Sequence, residues 1–480
     1  MQEIVAISHG VTRHPDYRLQ PVDITLLSRQ PAAICGLNGS GKSLLVDIIT
    51  GAHPLQGDEP RYRFRTGGTD RSSRIRHITF RDVYGGAAPQ YYQQRWNKGD
   101  EATFPTVRAL LLHEFGRTAL TPADLSLLSR IGVTANLDRK VNTLSSGELR
   151  RFQICKALVA RPELLIIDNP YIGLDSGARG MLTSLLEQIA QELTLVIVVS
   201  RPEDIPAFIK TVIPVSEKHV LAPVSRETYV AHVPEEKTEA PKLQLPFSND
   251  STSAPNGEDD SIVELHNVNL SYDGRNILSD LSWTVKRGEH WAVTGENGAG
   301  KTTLLSLICA DNPMAYARSI SLFGKRRGHG ESIWDIKKRI GYVSPEIYST
   351  YKKDLPAIDI VASGLYDTIG LYRRISEEDK ATSREWLRAF CAEDLADHPY
   401  LKLSSGEQRL ILLIRAFVKQ PDLLVLDEPF HGLDNKRRQR AREIIDAYMT
   451  DPRKTLIMIS HYEEEFPHCI DQHLHLKKHH

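Results

Sequence analysis

The sequence has little of what marks a secreted or membrane-spanning protein. Its five cysteines include no Cys-x-x-Cys pair, so reduced thiols in a cytosolic protein are expected rather than a disulfide framework. A membrane helix needs about 18 consecutive apolar residues, and the chain has no such run. The N-terminus also lacks a basic-then-apolar signal pattern. We therefore expect a cytoplasmic protein that does not cross a membrane. If it serves transport, a separate subunit must form the channel, and the chain would lie at the inner face of the membrane.

An excess of charge of one sign is also absent. The chain carries 60 Lys and Arg against 61 Asp and Glu, a formal net charge of −1, so no overall basic field recruits nucleic acid. Two short basic clusters, residues 325–327 and 337–339, are typical of solvated faces, and nucleic acid is not an expected partner. With 480 residues, 41% of them apolar, the chain is long enough for two domains with a core each.

What the sequence does contain is a phosphate-binding loop, G-x-x-x-x-G-K-T, over residues 295–302. Its glycines let backbone N–H groups close around phosphates, Lys301 adds a charge for the β- and γ-phosphates, and the Thr302 hydroxyl is a ligand for Mg²⁺. An apolar strand precedes the loop and an apolar helical run follows it, so that a helix N-terminus faces the phosphates. The predicted ATP-binding residues here are Gly295, Asn297, Gly298, Gly300, Lys301, Thr302 and Thr303.

The same loop occurs earlier in the chain, at an offset of 259 residues (301 − 42). The offset recurs for Leu-Ser-Ser-Gly-Glu at 144–148 and 403–407, for apolar runs ending in Asp168 and Asp427, and for Gly-Leu-Asp at 173–175 and 432–434. Four elements in register indicate a tandem duplication. In the first copy the predicted ATP-binding residues are Gly36, Asn38, Gly39, Gly41, Lys42 and Ser43.

This order of phosphate loop, LSSGE signature, apolar strand ending in Asp-Glu-Pro, Gly-Leu-Asp and a later Ser-His resembles the ATP-binding-cassette (ABC) ATPases. The resemblance implies an α/β fold of two tandem P-loop ATPase domains, each with a RecA-like core, an antiparallel β edge and a helical subdomain. We expect domain 1 over residues 1–216 and domain 2 over 261–480. Residues 217–260 are polar and rich in proline, which predicts a flexible linker.

A narrower resemblance is to tandem-cassette proteins associated with molybdate transport and photorepair. It is carried by residues 322–328, 331–338 and 340–344. The function that it implies is that of an energy-coupling ATPase for a membrane importer of molybdate or another oxyanion. Two alternatives stay open, a soluble ABC ATPase that acts on ribosomes, as in the translation-factor branch, and a role in DNA repair.

The resemblance assigns a complete catalytic set to the second half only. Asp427 is a Mg²⁺ ligand, Glu428 the general base and His461 the contact to the γ-phosphate. Asn169 and Arg201 stand at the two matching positions of the first half. An amide cannot accept a proton from water, and loss of a general base costs on the order of 10²–10⁴ in rate. The first half is therefore expected to bind ATP and hydrolyse it poorly. The predicted Mg²⁺ ligands of both halves are Ser43, Asp168, Thr302 and Asp427.

Each LSSGE stretch reads Ser-x-x-Glu, the capping box that opens a helix. A glycine inside it favours close approach of a ligand. In ABC ATPases two cassettes meet head to tail, and the signature of each closes the γ-phosphate site of the other. The resemblance thus implies that the two halves pair within the chain. The signature of the first half would then complete the site of the second half, which has the full catalytic set. The residues assigned to ATP in the signatures are Ser145, Gly147, Ser404 and Gly406.

Two further family positions are atypical. Tyr272 occupies the place where the family stacks an aromatic ring on adenine, whereas the first half has Pro15 there. A glutamine that senses the γ-phosphate cannot be assigned by spacing in the first half, where the tract 90–94 supplies candidates. In the second half it is absent, and Glu346 is its candidate substitute.

Overall fold

The computed structural model describes residues 2–13, 19–57, 59–65, 71–79, 105–141, 144, 146–171, 174, 176–231, 245–246, 260–272, 275–330, 332–351, 353–368, 374–460 and 462–477. The chain divides into two compact units. The described residues up to 231 form the first unit, and the described residues from 245 onward form the second.

The first unit alternates short strands and helices. Its described strands are β1 (Glu3–Thr12), β2 (Val22–Leu27), β3 (Ala32–Cys35), β4 (Leu55–Gln56), β5 (Arg61–Tyr62), β6 (Ile75–Ile78), β7 (Leu164–Asp168), β8 (Thr194–Val199), β9 (Thr211–Ser216), β10 (His219–Val220) and β11 (Val224–Ser225). Its described α-helices are α1 (Lys42–Thr50), α2 (Arg71–Arg74), α3 (Val107–Phe115), α4 (Pro122–Ile131), α5 (Ser146–Val159), α6 (Ser176–Glu192) and α7 (Arg226–Ala231).

The core of this unit is a sheet with the strand order β10-β9-β3-β8-β7-β6. The pairs β9–β3, β3–β8, β8–β7 and β7–β6 are all parallel. Strands β7 and β8 are almost wholly apolar and buried, as parallel strands covered on both faces must be. A separate antiparallel sheet is formed by β1 with β2, β4 and β5. Helices α3 and α4 pack their apolar faces against α5 in the same core.

The predicted linker begins later than the sequence indicated. Residues 219–231 form β10, β11 and α7, and both strands pair with β9. Tyr229 of α7 packs against the core of the first unit. The prediction of a linker from residue 217 is therefore wrong for 217–231, because two-residue strands give no periodic pattern to read. Residues 232–244 and 247–259 lie outside the described part of the chain, and Leu245 packs against the core of the second unit.

The second unit repeats this plan. Its described strands are β12 (Ser261–Tyr272), β13 (Arg275–Lys286), β14 (His290–Gly295), β15 (Ile320–Leu322), β16 (Lys325–Arg326), β17 (Ile340–Val343), β18 (Leu423–Asp427), β19 (Thr455–Ile459) and β20 (Gln472–Leu476). Its described α-helices are α8 (Lys301–Ile308), α9 (Ile333–Arg339), α10 (Pro345–Thr350), α11 (Ala357–Ala362), α12 (Glu377–Ala389), α13 (Ser405–Phe417) and α14 (Asn435–Tyr448).

The central sheet of the second unit is wholly parallel, in the order β17-β18-β19-β14-β20. This is the order β6-β7-β8-β3-β9 of the first unit, so the duplication seen in the sequence is also a duplication of topology. The antiparallel sheet is β13-β12-β15-β16. Within the described residues, no helix is both long enough and apolar enough to cross a bilayer.

The helical layer of the second unit, α11 to α13, encloses an aromatic cluster. The Trp386 ring lies 5.5 Å from that of Phe417 and 6.2 Å from that of Tyr448. Residues 357, 358 and 360–362 of α11 are also buried. The first residues of the apolar stretch that begins at 360 therefore belong to the core, and 369–373 lie outside the described chain.

Gly341 of β17 tests this packing. A Cβ atom added there would lie 2.4 Å from the Ala416 carbonyl oxygen and 2.7 Å from Cγ of Pro421. Because backbone must move to relieve the first clash, Gly341→Ala should destabilise the protein by about 1–3 kcal/mol. Gly180 in α6 meets no heavy atom within 4 Å, so Gly180→Ala should instead stabilise it by about 0.5–1 kcal/mol. Denaturant unfolding of both variants measures the difference, and equal midpoints would contradict this description of the packing.

Candidate functional site

The phosphate loop of the second unit links β14 to α8 at the carboxyl edge of the parallel sheet. Gly300 caps α8 with a left-handed backbone, φ 89°. A Cβ atom there would lie 2.9 Å from the Ile277 carbonyl oxygen. Lys301 Nζ donates to the carbonyl oxygens of Gly295 at 2.5 Å and Glu296 at 3.0 Å. The ammonium group thus lies across the loop, beside the helix N-terminus, which is the arrangement that binds phosphate.

The first unit has the same geometry. Lys42 Nζ donates to the carbonyl oxygens of Gly36 and Leu37, both at 2.7 Å, and Gly41 caps α1 with φ 106°. The loop is also held by a residue beyond the predicted end of the domain. The backbone N–H of Lys218 donates to the Ser40 carbonyl oxygen at 2.9 Å. The predicted loop residues Gly36, Asn38, Gly39, Gly41, Lys42 and Ser43 therefore lie together, as do Gly295, Asn297, Gly298, Gly300, Lys301, Thr302 and Thr303.

The predicted Mg²⁺ ligands of the second unit meet. Asp427 ends β18, and the Thr302 hydroxyl donates to Asp427 Oδ2 at 3.3 Å. The Asp427 side chain is buried, with the residue 4% exposed. Mg²⁺ binds oxygen ligands and keeps part of its water shell, so one carboxylate and one hydroxyl beside a phosphate cradle fit it. In the first unit Asp168 ends β7 in the same position.

Glu428 follows Asp427 in a left-handed backbone conformation, φ 49°. Its N–H donates to the Ile459 carbonyl oxygen at 2.9 Å, which fixes the residue to the end of β19. Its carboxylate Oε2 lies 2.6 Å from His431 Nδ1. Burial lowers the pKa of His431, and the Glu428 carboxylate only partly offsets this, so the imidazole is neutral at neutral pH.

Arg409, on the signature helix α13, holds the loop that carries this pair. Its Nη1 donates to the His431 carbonyl oxygen at 2.8 Å, and its guanidinium lies 4.5 Å from the ring centre of Tyr348. Sequence reasoning singled out neither Arg409 nor His431. A signal for the arginine existed, because Arg150 recurs at the same offset, and its Nη1 donates to the Pro170 carbonyl oxygen at 2.5 Å.

The first unit places an amide where the second places the carboxylate. Asn169 has φ 48°, and its backbone N–H donates to the Val198 carbonyl oxygen at 2.8 Å, so the backbone matches that of Glu428. The Asn169 side chain donates from Nδ2 to Asp168 Oδ1 at 2.8 Å. Arg201, which matches His461 in the duplication, has its Nε 3.4 Å from Asp204 Oδ2, and its side chain is 13% exposed.

The second signature forms the predicted capping box. Ser404 caps α13, its hydroxyl donates to Glu407 Oε2 at 2.7 Å, and the Glu407 N–H donates back to that hydroxyl at 3.4 Å. Burial raises the pKa of Glu407, but Arg437 at 3.2 Å and the Ser404 hydrogen bonds outweigh it, so the pKa is lowered overall. Gly406 lies buried in the first turn of α13, and Gly147 lies in the first turn of α5.

Several predicted site residues are not placed by the structure. Ser145 and His461 lie outside the described residues, as do the glutamine candidates at 90–94. Tyr272 ends β12, but its side chain and that of Glu346 are also outside the description. Glu346 itself belongs to α10, which Ser344 caps by accepting from the Ile347 N–H at 3.3 Å.

Comparison with known proteins matches both units to one family. The family model for ABC transporters matches residues 19–172 and 278–431. The ABC transporter ATP-binding protein ModF of Escherichia coli is 36% identical to this chain over 98% of the chain and 96% of its own length. An uncharacterized ABC transporter ATP-binding protein of Schizosaccharomyces pombe is 33% identical over 95% of the chain and 94% of its own length.

Solved structures share the tandem fold. A model of ribosome-bound archaeal Pelota and ABCE1 aligns with a TM-score of 0.58 and 19% identity, covering 94% of this chain and 73% of that one. The RNase-L Inhibitor aligns with a TM-score of 0.53 and 20% identity, covering 98% of this chain and 87% of that one. At this identity the likeness concerns the fold alone. The predicted fold class, two tandem P-loop ATPase domains of the ABC type, is confirmed. The chain belongs to the ABC transporter family of ATP-binding proteins and carries two of its ATPase cassettes in tandem.

Proposed function

We propose that this chain is an asymmetric ATPase whose second cassette hydrolyses ATP and whose first cassette binds ATP but hydrolyses it slowly. One observation carries the proposal. Glu428 and Asn169 occupy the same place at the end of matching strands, with φ of 49° and 48°, yet only the former can accept a proton. The two units thus differ in chemistry at a point where their backbones agree.

In the second cassette the residues have separable roles. The Lys301 ammonium exchanges its loop carbonyls for the β- and γ-phosphates of ATP, which bind at the N-terminus of α8. Thr302 and Asp427 would hold Mg²⁺, which when bound neutralises charge on the phosphates. Glu428 orients the attacking water and accepts its proton, with His461 assigned to the γ-phosphate. Tyr272 is the proposed stacking partner of adenine.

In the first cassette Lys42, Ser43 and Asp168 would hold ATP and Mg²⁺ in the same way. The Asn169 amide donates to Asp168 and has no basic atom with which to take the proton of water. Arg201 stays charged near neutral pH and does no proton chemistry. ATP bound here therefore serves a structural purpose, and we propose that it helps the cassettes to pair.

We further propose that the two cassettes pair head to tail within the chain, as the family does. Ser145 and Gly147 would then complete the hydrolysing site, and Ser404 and Gly406 the slow one. The polar, proline-containing sequence between residues 232 and 259 is suited to joining two units that must separate and meet. The proposal of pairing is supported by the composition of this connecting sequence and by the presence of a signature in each cassette.

For the cellular role we propose that turnover energises a separate membrane-spanning subunit, at the cytoplasmic face, in the import of an oxyanion such as molybdate. The support is the family itself and the 36% identity to ModF over nearly the full length of both chains. A soluble ABC ATPase that acts on ribosomes is the second candidate; a ribosome-bound protein shares the tandem fold over 94% of this chain, and that likeness concerns the fold alone. A role in DNA repair is supported only by the basic clusters at 325–327 and 337–339.

Catalytic asymmetry has a direct test in matched substitutions. Glu428→Gln should lower steady-state ATPase turnover by about 10²–10⁴, because the general base is lost, while ATP binding persists. Asn169→Gln places the same residue at the equivalent point of the first cassette and should leave turnover within about twofold. Near-normal turnover in Glu428→Gln would show that the working site has been assigned to the wrong residue.

The role of Thr302 as a Mg²⁺ ligand can be tested with serine, the residue at the matching position of the first cassette. Thr302→Ser keeps the hydroxyl, as Ser43 does in the first cassette, and should behave like the unaltered protein. Thr302→Ala removes that oxygen. It should raise the Mg²⁺ concentration needed for half-maximal activity, or lower the ATPase rate, by about 10- to 100-fold. The measurement is ATPase rate against Mg²⁺ concentration at fixed ATP. Identical curves for all three proteins would exclude Thr302 as a ligand.

The cellular role is tested by what the protein binds. Purified full-length protein carrying Glu428→Gln, which should retain ATP, is incubated with native membrane vesicles, ribosomes and duplex DNA, and each is sedimented with and without ATP. The transport proposal expects ATP-dependent recovery with membranes and co-purification of a membrane-spanning subunit. Recovery with ribosomes instead would favour the second candidate and overturn the first.

A further inference from the structure

The pair formed by Glu428 and His431 is enclosed by the protein rather than bathed in solvent. Nδ1 of the imidazole lies 2.6 Å from Oε2 of the carboxylate, and the two side chains are 15% and 13% exposed. A carboxylate so near an imidazole in a low-dielectric site interacts strongly with it. The carboxylate and the imidazole are therefore in direct contact at a site that is largely shielded from water.

The backbone holds the imidazole in this position independently of the contact. The His431 N–H donates to the Glu428 carbonyl oxygen at 3.3 Å, and the Leu433 N–H donates to that of Phe430 at 3.0 Å. Phe430 and Leu433 are buried, at 1% and 0% exposure. Arg409 clamps the same turn through the His431 carbonyl oxygen. The turn that carries the imidazole is therefore fixed by contacts that do not involve the Glu428 carboxylate.

The backbone of Glu428 has an uncommon conformation. With φ 49° its backbone is in the left-handed region, which side chains other than Gly, Asn and Asp rarely adopt. A neutral imidazole carries one N–H, and Nδ1, at 2.6 Å from Oε2, is the ring nitrogen in contact with the carboxylate.

A small recess borders the pair. Its walls include Ser344, Tyr348, Asp427, Glu428 and His431, and its volume is about 20 Å³, the size of about one water molecule. The Tyr348 hydroxyl on its wall has no hydrogen-bond partner among the described residues, so the recess presents a polar group that a water molecule could contact. The imidazole and the carboxylate thus share a wall of a space in which a water molecule fits.

The duplication provides an internal comparison. At the offset of 259 residues, Ile172 stands where His431 does, and Asn169 where Glu428 does. The half without the carboxylate also lacks the imidazole. A histidine that served only to fill the turn would have no reason to disappear together with the general base.

We propose that His431 is a positioning residue for hydrolysis, which holds the Glu428 carboxylate in the orientation that directs it at the attacking water. This inference rests on the proposed function of the second cassette. It concerns orientation and not the binding of ATP, so it predicts a change in kcat with little change in the affinity for nucleotide.

The test uses two substitutions in the full-length protein. His431→Ile introduces the residue of the first cassette and should lower kcat for ATP by about 10- to 100-fold, because the carboxylate loses its support. The KM for ATP should stay within about threefold. His431→Gln keeps an N–H donor and should recover most of the lost kcat. The thermal midpoint and equilibrium ATP binding of each variant, which should match the unaltered protein, separate positioning from a folding defect.

A double substitution completes the experiment. In a Glu428→Gln background, His431→Ile should cause no further loss beyond about twofold, since both changes remove one function. The inference is overturned if His431→Ile keeps the kcat of the unaltered protein, or if His431→Gln and His431→Ile lower kcat equally. It is also overturned if the double variant loses kcat by the product of the two single losses. Failure of the proposed function would look different, because Glu428→Gln itself would then keep normal turnover.

Discussion

Parallel strand pairing is the constraint on which both candidate sites depend. In the second unit β14 lies between β19 and β20, and β19 in turn pairs with β18. Because all four strands run the same way, the loop that follows β14 and the acidic residues that end β18 emerge at one edge. The carboxyl edge of an open parallel sheet is where such folds bind ligands. The phosphate cradle and the carboxylates are therefore brought together by backbone hydrogen bonds before any side chain contributes.

The duplicated scaffold separates structure from chemistry. Both units have the same order of central strands, the same left-handed glycine at the helix that follows the phosphate loop, and the same lysine lying across that loop. An arginine from the signature helix clamps the loop after the acidic strand in each. The side chains that differ include those that would act on water, since Asn169 and Ile172 stand where Glu428 and His431 do. The shared fold of the two units does not depend on these side chains.

Much of this could be predicted from the sequence, for physical reasons. Buried parallel strands must be continuously apolar, and phosphate loops must use glycine, so Leu423–Asp427 and the loop before Lys301 were identified by composition and spacing alone. The capping box at Ser404 was equally visible, since its partners are three residues apart. Each of these features depends on residues that are close together in the sequence.

What the sequence could not show depends on distant contacts. The approach of His431 to Glu428 requires a turn that is held by Arg409, which lies on another helix, and no spacing rule encodes it. The strands and helix after residue 217 were missed because pairing with β9, rather than any periodicity of their own, makes them strands. Polar composition there indicated a linker, and tertiary structure overrode it.

That short extension sets where the chain can be divided. The Lys218 N–H donates to the Ser40 carbonyl oxygen, and the Lys218 carbonyl oxygen accepts from the Gln20 N–H, both at 2.9 Å. Residues that follow β9 therefore help to hold the phosphate loop of the first unit. A cassette excised after residue 216 would lose these ties together with β10, β11 and α7. Gene fusions, circular permutations or separate expression of the halves should therefore keep residues 217–231 with the first cassette.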